Sequence, residues 1–216
     1  MALQDRLRTQ VIAANPRPPE FRTIAGLDSA YDEDGNVVAA IVVLDATTLE
    51  TVEVATAHGT TDFPYVPGLL AFRELPTTLS ALENLTATPD LFICDSQGLA
   101  HPRRFGFACH LGLLTGVPTL GVAKNAWGDF EDPGRERGCF SVITIDGDPV
   151  GRALRTRTDV KPVYVSVGHL IDLDTACAQV LALTPEFRQP ETTRRADQLC
   201  RRLLREISTA GTPSVE

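Results

Sequence analysis

Residues 23–58, TIAGLDSAYDEDGNVVAAIVVLDATTLETVEVATAH, decide how this chain is built. The run Thr23–Asp28 is apolar and ends in an acid. Val37–Leu44 (VVAAIVVL) is apolar throughout, as suits a strand covered on both faces. Thr51–His58 alternates, as suits a strand with one wet face. Asp34-Gly35-Asn36 is a tight-turn sequence between the first two runs. The chain is therefore expected to open on an antiparallel meander.

Downstream, Phe63-Pro64-Tyr65-Val66-Pro67-Gly68 is a loop stiffened by two prolines. A helix over Leu69–Leu85, interrupted near Pro76, comes next. Asp90–Asp95 (DLFICD) and Val117–Val122 (VPTLGV) read as short buried strands around a helix over Arg103–Thr115. Strand, helix, strand implies parallel pairing through a right-handed crossover. After a polar loop at 125–137, Cys139–Ile145 and Val150–Arg155 flank the turn Asp146-Gly147-Asp148. Val163–Val167 is a last strand, and helices over Asp172–Leu183 and Glu191–Ile207 follow, with a frayed tail over 208–216. Upstream, residues 3–15 place Leu3, Leu7, Val11 and Ile12 on one helical stripe, ended by Asn15-Pro16. No linker divides the chain, so residues 1–216 are read as one α/β domain.

Hydrophobic residues make up 43% and charged residues 22% of the 216, which excludes wholesale disorder. No apolar run approaches the ~18 residues a membrane helix needs. Met1–Asn15 lacks the apolar block of a secretory signal. The five cysteines, at 94, 109, 139, 177 and 200, are odd in number and show no C-x-x-C pair, against a zinc site or a disulfide framework. A reduced, cytoplasmic setting is the expectation. The net charge of −8 is uneven: residues 1–100 carry 5 basic and 14 acidic side chains, and the rest of the chain carries 15 and 14. A basic face on the second half is compatible with that total, and carboxylates that hold a cation add to the negative count.

The chemistry-bearing residues cluster at strand ends. Asp28 and Asp95 each close an apolar strand. Ligand sites in α/β sheets lie beyond such ends. Two carboxylates meeting there repel unless a cation intervenes, and Mg²⁺ takes a few carboxylate oxygens while keeping waters. The plainer alternative is a pair of helix caps or solvated loop acids. Glu74 and Asp197, on the two flanking helices, are candidates for further carboxylates. Lys124 follows another buried strand and is one of only two lysines beside 18 arginines. It is placed either to meet a phosphate oxygen or simply to sit at the surface. His101 is a candidate base or phosphate donor, or else a cap, and Arg103 and Arg104 can face a backbone phosphate or solvent. Tyr65, held between Pro64 and Pro67, is a stacking wedge or a packed core ring. The chain has no G-x-S-x-G elbow, no P-loop and no dinucleotide fingerprint.

Taken together, the stretches GLDSAY (26–31), FPYVPGLLAFRE (63–74), DSQGLAHPRRFGFACHLG (95–112), PTLGVAKN (118–125), GRALRTR (151–157), KPVYVSVGH (161–169) and PETTRRAD (190–197) resemble the endonuclease V family, in order, over residues 3–207. The resemblance implies a ribonuclease H-like fold: a mixed five-stranded sheet with helices on both faces, plus an extra C-terminal hairpin region and helices. It implies Asp28 and Asp95 as metal-binding aspartates and Glu74 as catalytic glutamate. It places Asp197 at a further metal position, and His101 and Lys124 as active-site residues. It implies Tyr65 as strand-separating wedge, with Pro64, Pro67, Gly68, Gly98, Arg103 and Arg104 meeting DNA. Ser96 stands where the family commonly has glycine, and Val167 where it commonly has proline.

The activity so implied is Mg²⁺-dependent nicking, with Mn²⁺ as substitute, at the second phosphodiester 3′ to deoxyinosine. The substrate is single- or double-stranded DNA and the enzyme a monomer without organic cofactor. An inosine-specific endoribonuclease of the same family is the nearest alternative. A sugar-kinase-like enzyme lacks its glycine-rich phosphate loops here. A non-catalytic nucleic-acid module does not need so complete a set of acids.

Overall fold

The computed structural model describes residues 2–64 and 66–210. Its centre is one mixed sheet. β1 (Thr23–Tyr31), β2 (Asn36–Asp45) and β3 (Thr51–Thr60) form the expected antiparallel meander. The β1–β2 turn is tied by Asp32, whose Oδ1 accepts from Asn36 N at 2.9 Å. β4 (Leu91–Cys94) pairs parallel to β1, and β5 (Thr119–Ala123) pairs parallel to β4. β2 shows why its sequence is apolar without a break. Ala39, Ile41 and Val43 pack on one face of the sheet, and Val38, Ala40, Val42 and Leu44 on the other. Both faces are covered, so alternation disappears.

The sheet has eight strands, not five. β6 (Phe140–Ile145) and β7 (Asp148–Leu154) form the hairpin read as an extra region. β7 pairs with β8 (Val163–His169), and β8 pairs antiparallel with β5. The order β3-β2-β1-β4-β5-β8-β7-β6 therefore contains the expected five-stranded core, extended on one side by three strands. Edge groups of β5 that would otherwise stay unpaired find partners in β8.

Helices cover both faces. α2 (Leu70–Leu82) lies against β2 and β3, and α3 (Phe107–Thr115) against β5 and β8. α4 (Leu173–Ala182) covers β8, and α5 (Glu191–Ala210) covers β1 and β2. α2 runs through Pro76 instead of breaking there. Pro76 sits on the wet side, while Ala71, Leu75 and Ala81 pack inward. Losing one backbone bond on the solvent side is tolerated when the opposite face is buried.

Several helix boundaries differ from expectation, among them the end of α2 at Leu82 and not Leu85. α3 starts at Phe107, not Arg103, because Arg104 adopts φ +55°, which ends helical geometry. The N-terminal helix, α1, covers only Ala2–Leu7, with one 3₁₀ turn after it. Beyond it the chain is claimed by tertiary bonds: Ile12 N donates to His169 Nδ1 at 3.2 Å, and Leu170 N donates to Ile12 O at 2.7 Å. At the other end, Ser208–Ala210 are helical, not frayed. Ser208 Oγ donates to Leu204 O and meets Asp32 Oδ2 at 3.4 Å. The remainder of the expected tail lies outside the described residues. The loop after β5 is pinned by Arg155, whose guanidinium donates to the carbonyls of Pro133, Gly134 and Val160. All five cysteines are free thiols. Among the described residues no helix is long and apolar enough to cross a membrane.

Candidate active site

The parallel register of β1 and β4 builds the site. Leu27 pairs with Cys94, so the next residues, Asp28 and Asp95, stand at one level. Asp95 N donates to Leu27 O at 3.2 Å, which fixes that level. Lys124 follows β5, the next parallel strand, and emerges at the same edge. Its backbone carbonyl is held by Arg188, which also donates to Lys161 O at 2.8 Å and Pro162 O at 2.7 Å. α5, packed on β1, supplies Asp197 from above.

Ligand oxygens of Asp28, Asp95 and Asp197 all lie within 4.8 Å of one another. Lys124 Nζ ion-pairs with Asp95 Oδ2 and lies 3.5 Å from Asp197 Oδ1. Glu74, on α2, is buried and lines the same open cavity of about 350 Å³, together with Gln97, Asn125, Trp127 and Arg201. The sequence-derived acids and lysine are thus brought together.

Their electrostatics follow from crowding. Burial, then the neighbouring Asp95, pushes Asp28 up to about 9. Burial and Asp95 likewise lift Glu74 to about 8. Burial raises Asp95 against the opposing pull of Lys124. Burial works to raise Asp197 too, but the Asp28 hydrogen bond, Lys124 and Arg201 outweigh it and hold Asp197 below its ordinary value. For Lys124 the same carboxylates overcome burial and favour the ammonium. The cluster thus keeps its carboxylates together with a proton on Asp28 and an ammonium beside them. A hard divalent cation can replace that proton, since the carboxylate donors are all oxygens converging on one point.

The remaining candidates sit differently. His101 is buried, and both ring nitrogens are engaged. Nε2 donates to Gly68 O at 3.1 Å and Nδ1 accepts from Arg103 N at 3.2 Å. The ring also stacks on Trp127, with centroids 5.7 Å apart. Burial lowers its pKa to about 4, so it is neutral. Arg103 Nη2 donates to Gly68 O at 2.6 Å. Arg104 turns to the β6–β7 hairpin, donating to Ile145 O at 2.5 Å. Pro64 and Pro67 are exposed, and Pro67-Gly68 forms a turn in which Leu69 N donates to Val66 O at 2.9 Å. Gly68 has φ +81°, which that turn requires at its third residue. Tyr65 lies outside the described residues.

Gly98 is packed beneath the site, where a Cβ would strike the Val167 carbonyl oxygen. Its N–H donates to Ser166 Oγ at 2.9 Å. The hydroxyl of Ser96 is buried without a hydrogen-bond partner. Val167 O accepts from Leu99 N at 2.8 Å, a bond that does not depend on the residue's side chain. Sequence reasoning missed Gln97, Trp127 and Arg201. Of these only Arg201 had a signal, its i,i+4 spacing from Asp197, which it meets at 2.9 Å.

This constellation can be compared with known proteins. Residues 5–198 match the family model described as Endonuclease V. The chain belongs to the Endonuclease V family. An Endonuclease V of Nocardia farcinica is 69% identical over 212 residues, covering 98% of this chain and 93% of that protein. The crystal structure of the Streptomyces avermitilis Endonuclease V superposes with a TM-score of 0.91 at 60% identity, over 96% of this chain and 92% of that one. The Endonuclease V of Ciona intestinalis was solved in complex with a 24mer DNA containing an inosine followed by a ribo-adenosine. It superposes with a TM-score of 0.84 at 27% identity, over 95% of this chain and 96% of that one. As an Endonuclease V family member, this chain is an endonuclease acting on DNA.

Proposed function

We propose that this chain is a Mg²⁺-dependent repair endonuclease that recognises deoxyinosine and nicks the strand at the second phosphodiester on its 3′ side. The products are 3′-hydroxyl and 5′-phosphate ends, and Mn²⁺ substitutes for Mg²⁺. One observation carries the reading: the convergence of Asp28, Asp95 and Asp197 within 4.8 Å in the lining of an open cavity of about 350 Å³. The inosine-containing DNA bound by the Ciona relative supports the choice of lesion.

Asp28 and Asp95 hold the metal, with Glu74 and Asp197 completing a second position. Bound there, Mg²⁺ supplies Lewis acidity at the scissile phosphate. Lys124, kept charged by three carboxylates, stabilises negative charge developing on a phosphate oxygen. Glu74, buried beside Asp95 in the same cavity, is the carboxylate the family resemblance marks as catalytic. The base is extruded from the stack, and Tyr65 fills the space it leaves. Pro64, Pro67 and Gly68 shape the loop that carries the wedge. His101 and Arg103 act through that loop, since both donate to the Gly68 carbonyl. Gly98 lets the turn after Asp95 pack against β8, and Arg104 braces the β6–β7 hairpin. The enzyme works as a monomer, without organic cofactor, in the cytoplasm, where its five thiols stay reduced.

A labelled oligonucleotide with one inosine, incubated with and without Mg²⁺, tests the reading. A single metal-dependent nick at the stated bond is expected, and an uncut strand contradicts it. Because the DNA bound by the Ciona relative carries a ribo-adenosine after the inosine, an inosine-specific endoribonuclease is the second reading. Matched DNA and RNA strands, cut side by side, decide between them.

A further inference from the structure

α1 has six residues, and just one of them, Gln4, is buried, at 1% exposure. So short a helix is marginal by itself. Its one fully buried side chain is polar and only Leu7 is half-buried, so apolar packing contributes little to holding it. The carboxamide of Gln4 is fully used. Nε2 donates to Gly68 O at 3.1 Å and to Phe105 O at 3.0 Å, and Oε1 accepts from Arg103 Nε at 2.6 Å. Two carbonyls on one side and a guanidinium on the other fix which atom is nitrogen.

Three donors therefore converge on one carbonyl oxygen, that of Gly68: Gln4 Nε2, His101 Nε2 and Arg103 Nη2. The opposite end of the same loop is held by Arg73, whose Nη1 donates to Phe63 O at 2.9 Å. Both ends of the 63–68 loop are thus tethered by side chains from other elements. Gln4 is the tether farthest in sequence, and it does not line the carboxylate cavity.

We propose that Gln4 is a positioning residue: it latches the base of the 63–68 loop so that the loop meets the duplex at a fixed height and angle. This rests on the reading above, in which that loop enters the gap left by the extruded base. Gln4 touches neither the phosphate nor the acids. Its contribution is confined to lesion capture in a duplex, where strands must be parted, and is dispensable in a single strand.

The test uses full-length protein with Mg²⁺ and two variants. Gln4→Met keeps side-chain size without hydrogen bonds. Gln4→Glu keeps the contact to Arg103 but sets an anionic oxygen against the Gly68 and Phe105 carbonyls. Cleavage of one inosine is followed in a duplex and in the same strand alone, with 2-aminopurine beside the lesion reporting unstacking, and thermal unfolding is measured in parallel. The duplex-to-single-strand rate ratio should fall about tenfold in both variants, short of the ~10²-fold that a full 1 Å misplacement can cost. The 2-aminopurine signal in the duplex should fall with it. An unchanged ratio in both variants overturns the proposal. So does a loss shared equally by both substrates that tracks the unfolding temperature, since that is mere structural support. A wild type that leaves both inosine substrates uncut overturns the reading of function and the latch with it.

Discussion

Asp28 illustrates how a carboxylate proposed to hold a metal can be an unfavourable residue while it stands alone. Without metal it holds a proton up to about 9, against 3.8 in an unperturbed chain, chiefly because it is buried and next because Asp95 stands beside it. Between those values the folded state keeps a proton that the unfolded chain has released, so stability falls as pH rises. One such proton changes stability by about 1.4 kcal/mol per pH unit. Urea unfolding in EDTA at pH 5 and pH 8 should show this loss in the wild type. Asp28→Asn, which carries no charge to bury, should show a shallower loss and be the more stable protein at pH 8. Equal slopes would contradict the assignment. Asp95→Ala should abolish nicking in a Mg²⁺ assay while leaving the circular dichroism spectrum unchanged. Activity near wild type would remove the two-carboxylate mechanism. At this scale the sequence was informative where residue type alone restricts chemistry: Asp28, Glu74, Asp95, Lys124 and Asp197 all reach one cavity. It was not informative for His101, Arg103 and Gln4, because a ring nitrogen or guanidinium is equally suited to a phosphate and to a backbone carbonyl. Only the position of the Gly68 oxygen distinguishes the two.

Among elements, the turn between β4 and α3 governs the site. It carries Asp95 and lies so close to β8 that only glycine fits at 98. Gly98→Ala is expected to cost ~1–3 kcal/mol as an overpacked contact. It should also weaken Mn²⁺ binding, because Asp95 moves with the turn. Calorimetric titration and thermal unfolding of the variant check both, and wild-type metal affinity would show that the turn does not set the carboxylate. The strands and most helices were legible because their periods are local: VVAAIVVL needs two covered faces wherever it occurs. The pairing of β8 with β5 was not legible. A seven-residue strand such as β8 gives no sign of which edge it will join, and that one junction turns a five-stranded sheet into eight. The shortened α1 was hidden for a related reason, since its amphipathic stripe competes with distant partners at His169 and Leu170.

For the whole molecule, a net charge of −8 coexists with binding to a polyanion because the charge is unevenly placed. Asp28, Asp95 and Asp197 meet at the candidate site, and Arg201, Arg202 and Arg205 project from exposed positions on α5, the helix that carries Asp197. Binding to inosine-containing DNA should therefore weaken by about tenfold for every two phosphate contacts between 50 and 200 mM salt. Fluorescence anisotropy measures this, and a flat response would speak against a groove that follows the backbone. The account as a whole depends on one act of coordination, and Mn²⁺ titration by calorimetry reports it without requiring turnover. At pH 7 the wild type should bind Mn²⁺ and release at least one proton, seen as a buffer-dependent heat, because Asp28 gives up its proton to make room. Asp28→Asn and Asp95→Asn should each bind far more weakly. Undiminished Mn²⁺ affinity in Asp95→Asn, with the same proton release, would contradict the account.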